Sequence, residues 1–208
     1  MMVKAVIFDF GGVITSSPFE AFAAYEAARG LPQGFIRTVN ATNPDDNAWA
    51  RLERSEIDAA AFDAAFRAEA LALGHDVPGG DVLPLLAGQV RAGMVAALRA
   101  CKARFKVGCI TNNVSSDKDI GWGDSVRDIL ALFDHVIESS KVGLRKPDPA
   151  IYLMMCDALG VAPADCVYLD DLGINCKPAA ALGMHAIKVT GEAQALAALA
   201  AATGLTFG

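Results

Sequence analysis

The feature that most constrains the fold is a series of five short apolar runs distributed along the 208-residue chain. They occupy residues 3–8, 105–110, 135–137, 166–169 and 185–189. Runs of this length predict buried strands, and helical or loop material separates each run from the next. Alternating strands and helices predict an α/β fold, in which helices flank a parallel sheet.

The segment between the first two predicted strands is too long for a single crossover helix. The sequence Ser17-Pro18-Phe19-Glu20 matches a capping box, which predicts a helix that ends at Gly30. A second helix is predicted for residues 58–73, with an apolar face formed by Phe62, Phe66, Ala70 and Leu73 and with Gly74 as its stop. A third helical stretch is predicted for residues 85–104, with a break near Gly93.

These helices predict a division of the chain into two parts. Residues 16–88 are expected to form a small helical lobe. The lobe is inserted into an α/β core made of residues 1–15 and 89–208. The alanine-rich stretch 193–202 is expected to be a terminal packing helix.

Composition narrows the range of partners. The chain is 53% hydrophobic and 20% charged, with a net charge of −6, which is typical of a globular protein without a basic surface for nucleic acid or anionic membranes. The first residues match neither a signal peptide nor a membrane span, so a cytoplasmic location is expected. Both a monomer and a homodimer stay open.

The five cysteines point to structural roles. They contain no C-x-x-C pair, and two of them lie in predicted strands. Buried free thiols are therefore expected, since neither disulfides nor a zinc site fits this spacing.

Polar residues follow the predicted strands where ligands bind in parallel sheets, at the carboxyl ends. Asp9 follows the first strand, Thr111-Asn112-Asn113 the second, and Asp170-Asp171 the fourth. Lys146 lies in a loop just before a helix. Each residue alone is weak support for a site, but their joint placement predicts that they converge.

This set of residues fits phosphate chemistry. A carboxylate such as Asp9 can attack phosphorus when a cation and a lysine neutralise the phosphate. Crowding Asp9 with Asp170 and Asp171 is costly unless a hard cation such as Mg²⁺ lies among them. Thr111 and Lys146 would contact phosphoryl oxygens. The turn Gly11-Gly12 would offer backbone amides to the phosphate and a carbonyl to the metal.

The order of Asp9, Thr111, Lys146 and Asp170-Asp171 resembles the four motifs of the haloacid dehalogenase-like hydrolases. Residues 137–149 and 168–178 are similar to signatures of the subgroup that contains the phosphatase domain of soluble epoxide hydrolase and the N-terminal domain of acyl-CoA dehydrogenase family member 10. The resemblance spans the chain. It implies a Rossmann-like core with a helical cap of the first class.

The resemblance also implies roles for individual residues. Asp9 would form an aspartyl-phosphate and bind Mg²⁺, with Gly11 lending its carbonyl to the metal. One of the tandem acids would complete the protein ligands; Asp171 is favoured for direct contact, with Asp170 behind it. Asn112 and Asn113 would lie beside the phosphate of a small phosphorylated metabolite.

The sequence departs from the family pattern at Gly11. Most phosphatases of the family have a second aspartate there, as acid and base for the leaving group and the water. The loss of a positioned acid/base costs about 10²- to 10⁴-fold in rate, so good leaving groups are expected to suffer least. Two alternatives stay open: a metal-independent dehalogenase, in which Asp9 attacks carbon, and a binding module without chemistry.

Overall fold

The fold is an α/β sandwich around five parallel strands, seen in a computed structural model that describes residues 2–86, 88–112 and 124–207. The sheet order is β3-β2-β1-β4-β5. The strands are β1 (Ala5–Phe8), β2 (Lys106–Thr111), β3 (His135–Glu138), β4 (Cys166–Asp170) and β5 (His185–Lys188). The predicted parallel sheet is confirmed, with strand bounds within two residues of the predicted runs.

Helices cover both faces of the sheet, because the central strands are apolar on both sides. One face packs against α6 (Ala92–Lys102) and α11 (Glu192–Thr203), together with α7 (Asp124–Leu130). The other face packs against α9 (Pro149–Leu159) and α10 (Gly173–Ala181). The strand β1 lies at the centre of both clusters, and all four of its side chains are buried.

The segment between β1 and β2 is helical and has a hydrophobic cluster of its own. Its helices are α1 (Phe19–Arg29), α2 (Phe35–Ala41), α3 (Ala48–Glu53), α4 (Ala59–Ala72) and α5 (Gly79–Val82). Phe62 and Phe66 of α4 are fully buried in this cluster, as the apolar face predicts. A short helix, α8 (Ser139–Val142), follows β3.

Three details of the helix predictions are wrong. Pro18 is the N-cap of α1 and no side chain caps that helix, because the Ser17 hydroxyl donates to Asp171 instead. Leu73 is 40% exposed, since α4 ends one residue earlier. The third stretch is helical only from Ala92, after a short 3₁₀ turn at Leu83–Leu86.

The two stretches of chain that connect the inserted segment to the sheet run side by side in opposite directions. Thr15 and Val90 form an antiparallel bridge, and Ser16 and Gln89 are joined by a backbone hydrogen bond of 2.8 Å. This seam lies where the predicted division into 1–15, 16–88 and 89–208 places its boundaries. The division itself stays a prediction.

All five cysteines are buried free thiols, as expected. Burial raises the pKa of Cys101 to about 12, which keeps that thiol protonated at neutral pH. Among the helices of the described residues, none has the length and apolar character needed to cross a membrane.

Candidate active site

The candidate site lies at the carboxyl edge of the three central strands. Asp9 follows β1 directly, Thr111 is the last residue of β2, and Asp170 is the last residue of β4. Because β2 and β4 are the two neighbours of β1, these residues meet at one edge. Carboxylate oxygens of Asp9, Asp170 and Asp171 all lie within 4.8 Å of one another. The structure thus brings the three acids together.

Lys146 is buried among these acids. Its ammonium lies 2.8 Å from Asp9 Oδ1 and 2.8 Å from Asp170 Oδ2, and the residue is only 1% exposed. Burial acts to lower the pKa of Lys146, but the charges of Asp170 and Asp9 outweigh it and hold the pKa well above its usual range. The ammonium is therefore a fixed positive charge between the carboxyl ends of β1 and β4.

The loop that carries Lys146 is fixed at both ends. Gly143 ends α8 in the left-handed conformation, and Asp148 starts α9 by accepting a hydrogen bond from the Ala150 amide. Between them, the Asn112 amide clamps the Lys146 backbone, with Oδ1 accepting from its N–H at 2.8 Å and Nδ2 donating to its carbonyl at 3.0 Å. This loop position is thus tied to the end of β2.

Asp170 is saturated with hydrogen bonds. It accepts from the Tyr168 hydroxyl at 2.5 Å, from the Leu172 amide at 2.8 Å and from Asn175 Nδ2 at 3.1 Å to each oxygen. Burial acts to raise its pKa, but Lys146 and these donors outweigh burial and lower it. Asp170 is therefore an ionised anchor for Lys146 rather than a free ligand.

The Asp9 carboxylate has one anchored oxygen and one free oxygen. Oδ1 accepts a hydrogen bond of 2.7 Å from the Phe10 amide and contacts Lys146. Within the described residues, Oδ2 has no hydrogen-bond partner. Burial raises the pKa of Asp9, and Lys146 opposes this shift. Oδ1 thus fixes the orientation of the group, while Oδ2 is left available within the described part of the chain.

Asp171 is the least committed of the three acids. It is half-buried and accepts one hydrogen bond, of 3.1 Å, from the Ser17 hydroxyl to Oδ2. Its carboxylate lies against Gly12, which has a φ of +76°; a Cβ at Gly12 would come within 2.2 Å of Oδ2. Burial, followed by the charge of Asp170, raises the pKa of Asp171. Gly12 is thus required here for close packing as well as for its backbone conformation.

The remaining predicted residues have different surroundings. Thr111 is 5% exposed, and its hydroxyl has no hydrogen-bond partner in the part of the chain that the structure describes, so it is free to donate to a ligand. Gly11 is exposed, and a Cβ there would meet no atom within 4 Å. The side-chain amide of Asn112 is already hydrogen-bonded to the Lys146 backbone. The position of Asn112 beside a phosphate therefore stays a prediction. Asn113 lies outside the described residues.

Several residues of the site were missed by the sequence analysis. Tyr168 and Asn175 bind Asp170, and both lie in the 168–178 stretch, where their distances of two and five residues from Asp170 were a usable signal. Ser17 was assigned to a helix cap instead.

Glu53 of α3 was also missed. It is buried, forms an ion pair of 2.6 Å with Arg145, and lies 3.3 Å from Asn112 Nδ2. Burial raises its pKa against the opposing charge of Arg145. The backbone carbonyl of Glu53 accepts a hydrogen bond of 2.7 Å from the Ser139 hydroxyl. The inserted segment therefore supports the Lys146 loop from behind, which no local sequence pattern indicates.

Comparison with known proteins assigns the family. A family profile described as haloacid dehalogenase-like hydrolase matches residues 3–183, which include Asp9, Thr111, Lys146, Asp170 and Asp171. The chain belongs to the haloacid dehalogenase-like hydrolases. The family resemblance seen in the sequence is therefore confirmed, and the protein is a hydrolase by family.

Curated relatives of this haloacid dehalogenase-like chain include larger proteins. Bifunctional epoxide hydrolase 2 of Mus musculus is 30% identical over 221 residues, which cover 100% of this chain and 40% of the relative. Acyl-CoA dehydrogenase family member 10 of Mus musculus is 31% identical, covering 97% of this chain and 19% of the relative. The chain thus spans less than half the length of these two relatives. Phosphatase MT3486 of Mycobacterium tuberculosis is 29% identical, with coverage of 93% and 90%.

Solved structures of haloacid dehalogenase-like enzymes share the fold. A family enzyme from Bacteroides thetaiotaomicron, in complex with magnesium and inorganic phosphate, matches with a TM-score of 0.60 and 19% identity, over 89% of this chain and 93% of that one. The L-2-haloacid dehalogenase of Xanthobacter autotrophicus matches with a TM-score of 0.62 and 20% identity, over 97% and 83%. Both confirm the α/β fold.

The burial of Lys146 generates a prediction about stability. Lys146→Met leaves the Asp9 and Asp170 carboxylates without their shared cation, so the free energy of unfolding at pH 7 should fall by about 3–5 kcal/mol. Without Lys146, the folded-state pKa values of both acids rise. The stability deficit should therefore be largest above those values and shrink as the pH falls and the acids become neutral.

Urea unfolding at several pH values measures this deficit. The matched control is Lys141→Met, which removes a lysine whose side chain is 71% exposed in a surface pair with Glu138 and should cost no more than about 1 kcal/mol. Equal stability losses in the two variants would contradict the assigned role of Lys146.

Proposed function

We propose that this chain is a Mg²⁺-dependent phosphatase that acts on a small phosphorylated metabolite through an aspartyl-phosphate at Asp9. The observation that carries the proposal is the asymmetry of Asp9: Oδ1 is held by Lys146 and the Phe10 amide, while Oδ2 has no partner among the described residues. A fixed carboxylate beside a buried ammonium suits attack on an anionic phosphate, whose charge the ammonium attracts.

The acids of the site fit a divalent metal. Three carboxylates and one ammonium leave two negative charges uncompensated, and oxygen donors are the ligands that Mg²⁺ prefers. We assign direct contact to Asp9, Asp171 and the Gly11 carbonyl, since the oxygens of Asp170 are already occupied. When bound, the metal neutralises phosphoryl oxygens as charge moves to the leaving group.

The protein residues would act in two steps. In the first, Asp9 forms a bond to phosphorus, the bond from phosphorus to the leaving oxygen breaks, and that oxygen departs with the bonding electrons and takes a proton from water. In the second, water attacks phosphorus and the Asp9 carboxylate is released with inorganic phosphate. Lys146 would stabilise the phosphoryl oxygens in both steps, and Thr111 would donate a hydrogen bond to one of them.

The glycine at position 11 shapes the expected substrate. With no carboxyl group there, a leaving oxygen must depart without a positioned acid. Acyl phosphates and sugar 1-phosphates, whose leaving oxygens depart easily, are therefore better candidates than simple alkyl phosphates. The segment 16–88 would serve as the cap that encloses the site and sets specificity.

The relatives support this proposal at the level of reaction class. MT3486 is a phosphatase and is similar to this chain over 93% of the chain and 90% of its own length. The partner is proposed to be a small molecule and not nucleic acid or membrane, in line with the net charge of −6. A monomer or a homodimer is proposed as the oligomeric state.

The first prediction of this proposal concerns Asp9 and the metal. The purified protein should hydrolyse acetyl phosphate with Mg²⁺. EDTA or the nearly isosteric change Asp9→Asn should lower the rate by at least about 10³-fold, because each removes a group on which the phosphoryl transfer depends. Release of inorganic phosphate is the measurement.

Two outcomes would contradict the proposal. Turnover by Asp9→Asn at the wild-type rate would show that Asp9 is not the nucleophile. Turnover of a 2-haloacid that persists in EDTA would instead support attack by Asp9 on carbon.

A second prediction concerns position 11. Gly11→Asp should raise kcat for an alkyl phosphate by at least about tenfold, because the new carboxyl group can protonate the leaving oxygen and a Cβ at position 11 would meet no described atom within 4 Å. The gain should be smaller for acetyl phosphate, which needs no acid. Gly11→Ala separates the effect of the carboxyl group from that of the backbone, and an equal gain in both variants would refute the explanation.

A further inference from the structure

A basic cleft of about 320 Å³ adjoins the site on the side of Asp171 and Gly12. Three cationic side chains line it, and they come from separate parts of the chain. Arg37 belongs to α2 of the inserted segment, Arg91 immediately precedes α6, and Lys188 is the last residue of β5. Among the described residues of the lining, Asp171 is the acidic one, so cations outnumber acids there by three to one.

These cations have no carboxylate partner among the residues that the structure describes. The Arg37 guanidinium lies over the Phe19 ring, 4.4 Å from its centroid, and Arg91 Nη1 donates to the Gly12 carbonyl at 2.6 Å. This contact holds the Arg37 guanidinium over the ring, and within the described residues its N–H groups have no hydrogen-bond partner, so they can donate to an oxyanion.

The start of α10 adds positive potential to the same cleft. This nine-residue helix begins at Gly173, which lines the cleft. Within the described residues no side-chain hydrogen bond caps it, although the amide of its N-cap residue Leu172 donates to Asp170. The Lys188 side chain runs close to Gly173, with Cδ 3.9 Å and Nζ 4.0 Å from the Cβ position of this glycine. A helix N-terminus favours anions, so the backbone and the cations attract the same kind of group.

The phosphate that reacts at Asp9 already has Lys146 as its cation, so the cleft is surplus to the hydrolysis itself. We propose that the cleft binds a second anionic group of the substrate, a carboxylate or a second phosphate, while the reacting phosphate lies at Asp9. This inference rests on the proposed function and narrows its substrate class to phosphorylated compounds with two anionic ends.

Matched aryl phosphates test the inference. Para-carboxyphenyl phosphate and the bisphosphate of hydroquinone carry a second anion, and para-carbamoylphenyl phosphate is a neutral counterpart of similar size. The wild type with Mg²⁺ should prefer at least one of the anionic compounds over the neutral one by about tenfold or more in kcat/KM. Which of the two is preferred distinguishes a carboxylate site from a phosphate site.

Variants locate the preference. Arg37→Gln and Lys188→Gln should each lower the ratio of anionic to neutral kcat/KM by about threefold to tenfold, and raised salt should lower it further. Arg99→Gln and Lys106→Gln remove exposed cations outside the cleft and should leave the ratio unchanged. A wild-type ratio near one, or equal effects of all four variants, would overturn the inference while the hydrolysis itself still supports the proposed function.

A binding measurement covers the case in which none of the compounds is hydrolysed. The affinities of the three aryl phosphates for Asp9→Asn with Mg²⁺ should show the same preference and the same dependence on Arg37 and Lys188. Preferential binding of an anionic compound without turnover of any of the three, or of acetyl phosphate, would keep the second-anion site and count against the phosphatase. Equal affinities would reject the site.

Discussion

A buried ammonium group held between two carboxylates is the interaction on which the rest of this site depends. The Lys146 side chain is removed from water, and that removal costs several kcal/mol unless ionised partners lie within contact distance. Asp9 and Asp170 provide those partners at 2.8 Å. Asp9 directly follows β1 and Asp170 ends the neighbouring strand β4. The ion pairs therefore connect the folding of the sheet to the assembly of the site.

The two acids beside Lys146 have different tasks because their other contacts differ. Asp170 already accepts hydrogen bonds from Lys146, Tyr168, Leu172 and Asn175. Because a carboxylate has about four lone-pair sites, these four donors leave no site for a metal ion. In residues 2–86, 88–112 and 124–207, Oδ2 of Asp9 has no partner and the side chain of Asp171 accepts from one neutral donor, the Ser17 hydroxyl. The surroundings of the acids, rather than their residue type, therefore make Asp170 the anchor of Lys146 and leave Asp9 and Asp171 available for the roles proposed for them, nucleophile and metal ligand.

Sequence reasoning predicted the sheet and the convergence of Asp9, Thr111, Lys146 and the tandem acids, because apolar runs and strand ends are local signals. It failed where a contact joins distant segments. Ser17 fits a helix cap locally, yet its hydroxyl binds Asp171. Glu53 has the appearance of an ordinary helix residue, but it pairs with Arg145 and supports the Lys146 loop. The basic cleft likewise combines Arg37, Arg91 and Lys188, which no spacing in the sequence connects.

The central claim is that Asp9 carries the phosphoryl group, and chemical trapping tests it most directly. The protein is mixed with acetyl phosphate and Mg²⁺, treated with borohydride, digested and analysed by mass spectrometry, since borohydride reduces an acyl phosphate to an alcohol. Our account predicts that Asp9 is converted to homoserine, and that EDTA added before acetyl phosphate prevents the conversion. Phosphate release with Asp9 unmodified, or with the conversion at another carboxylate, would contradict it.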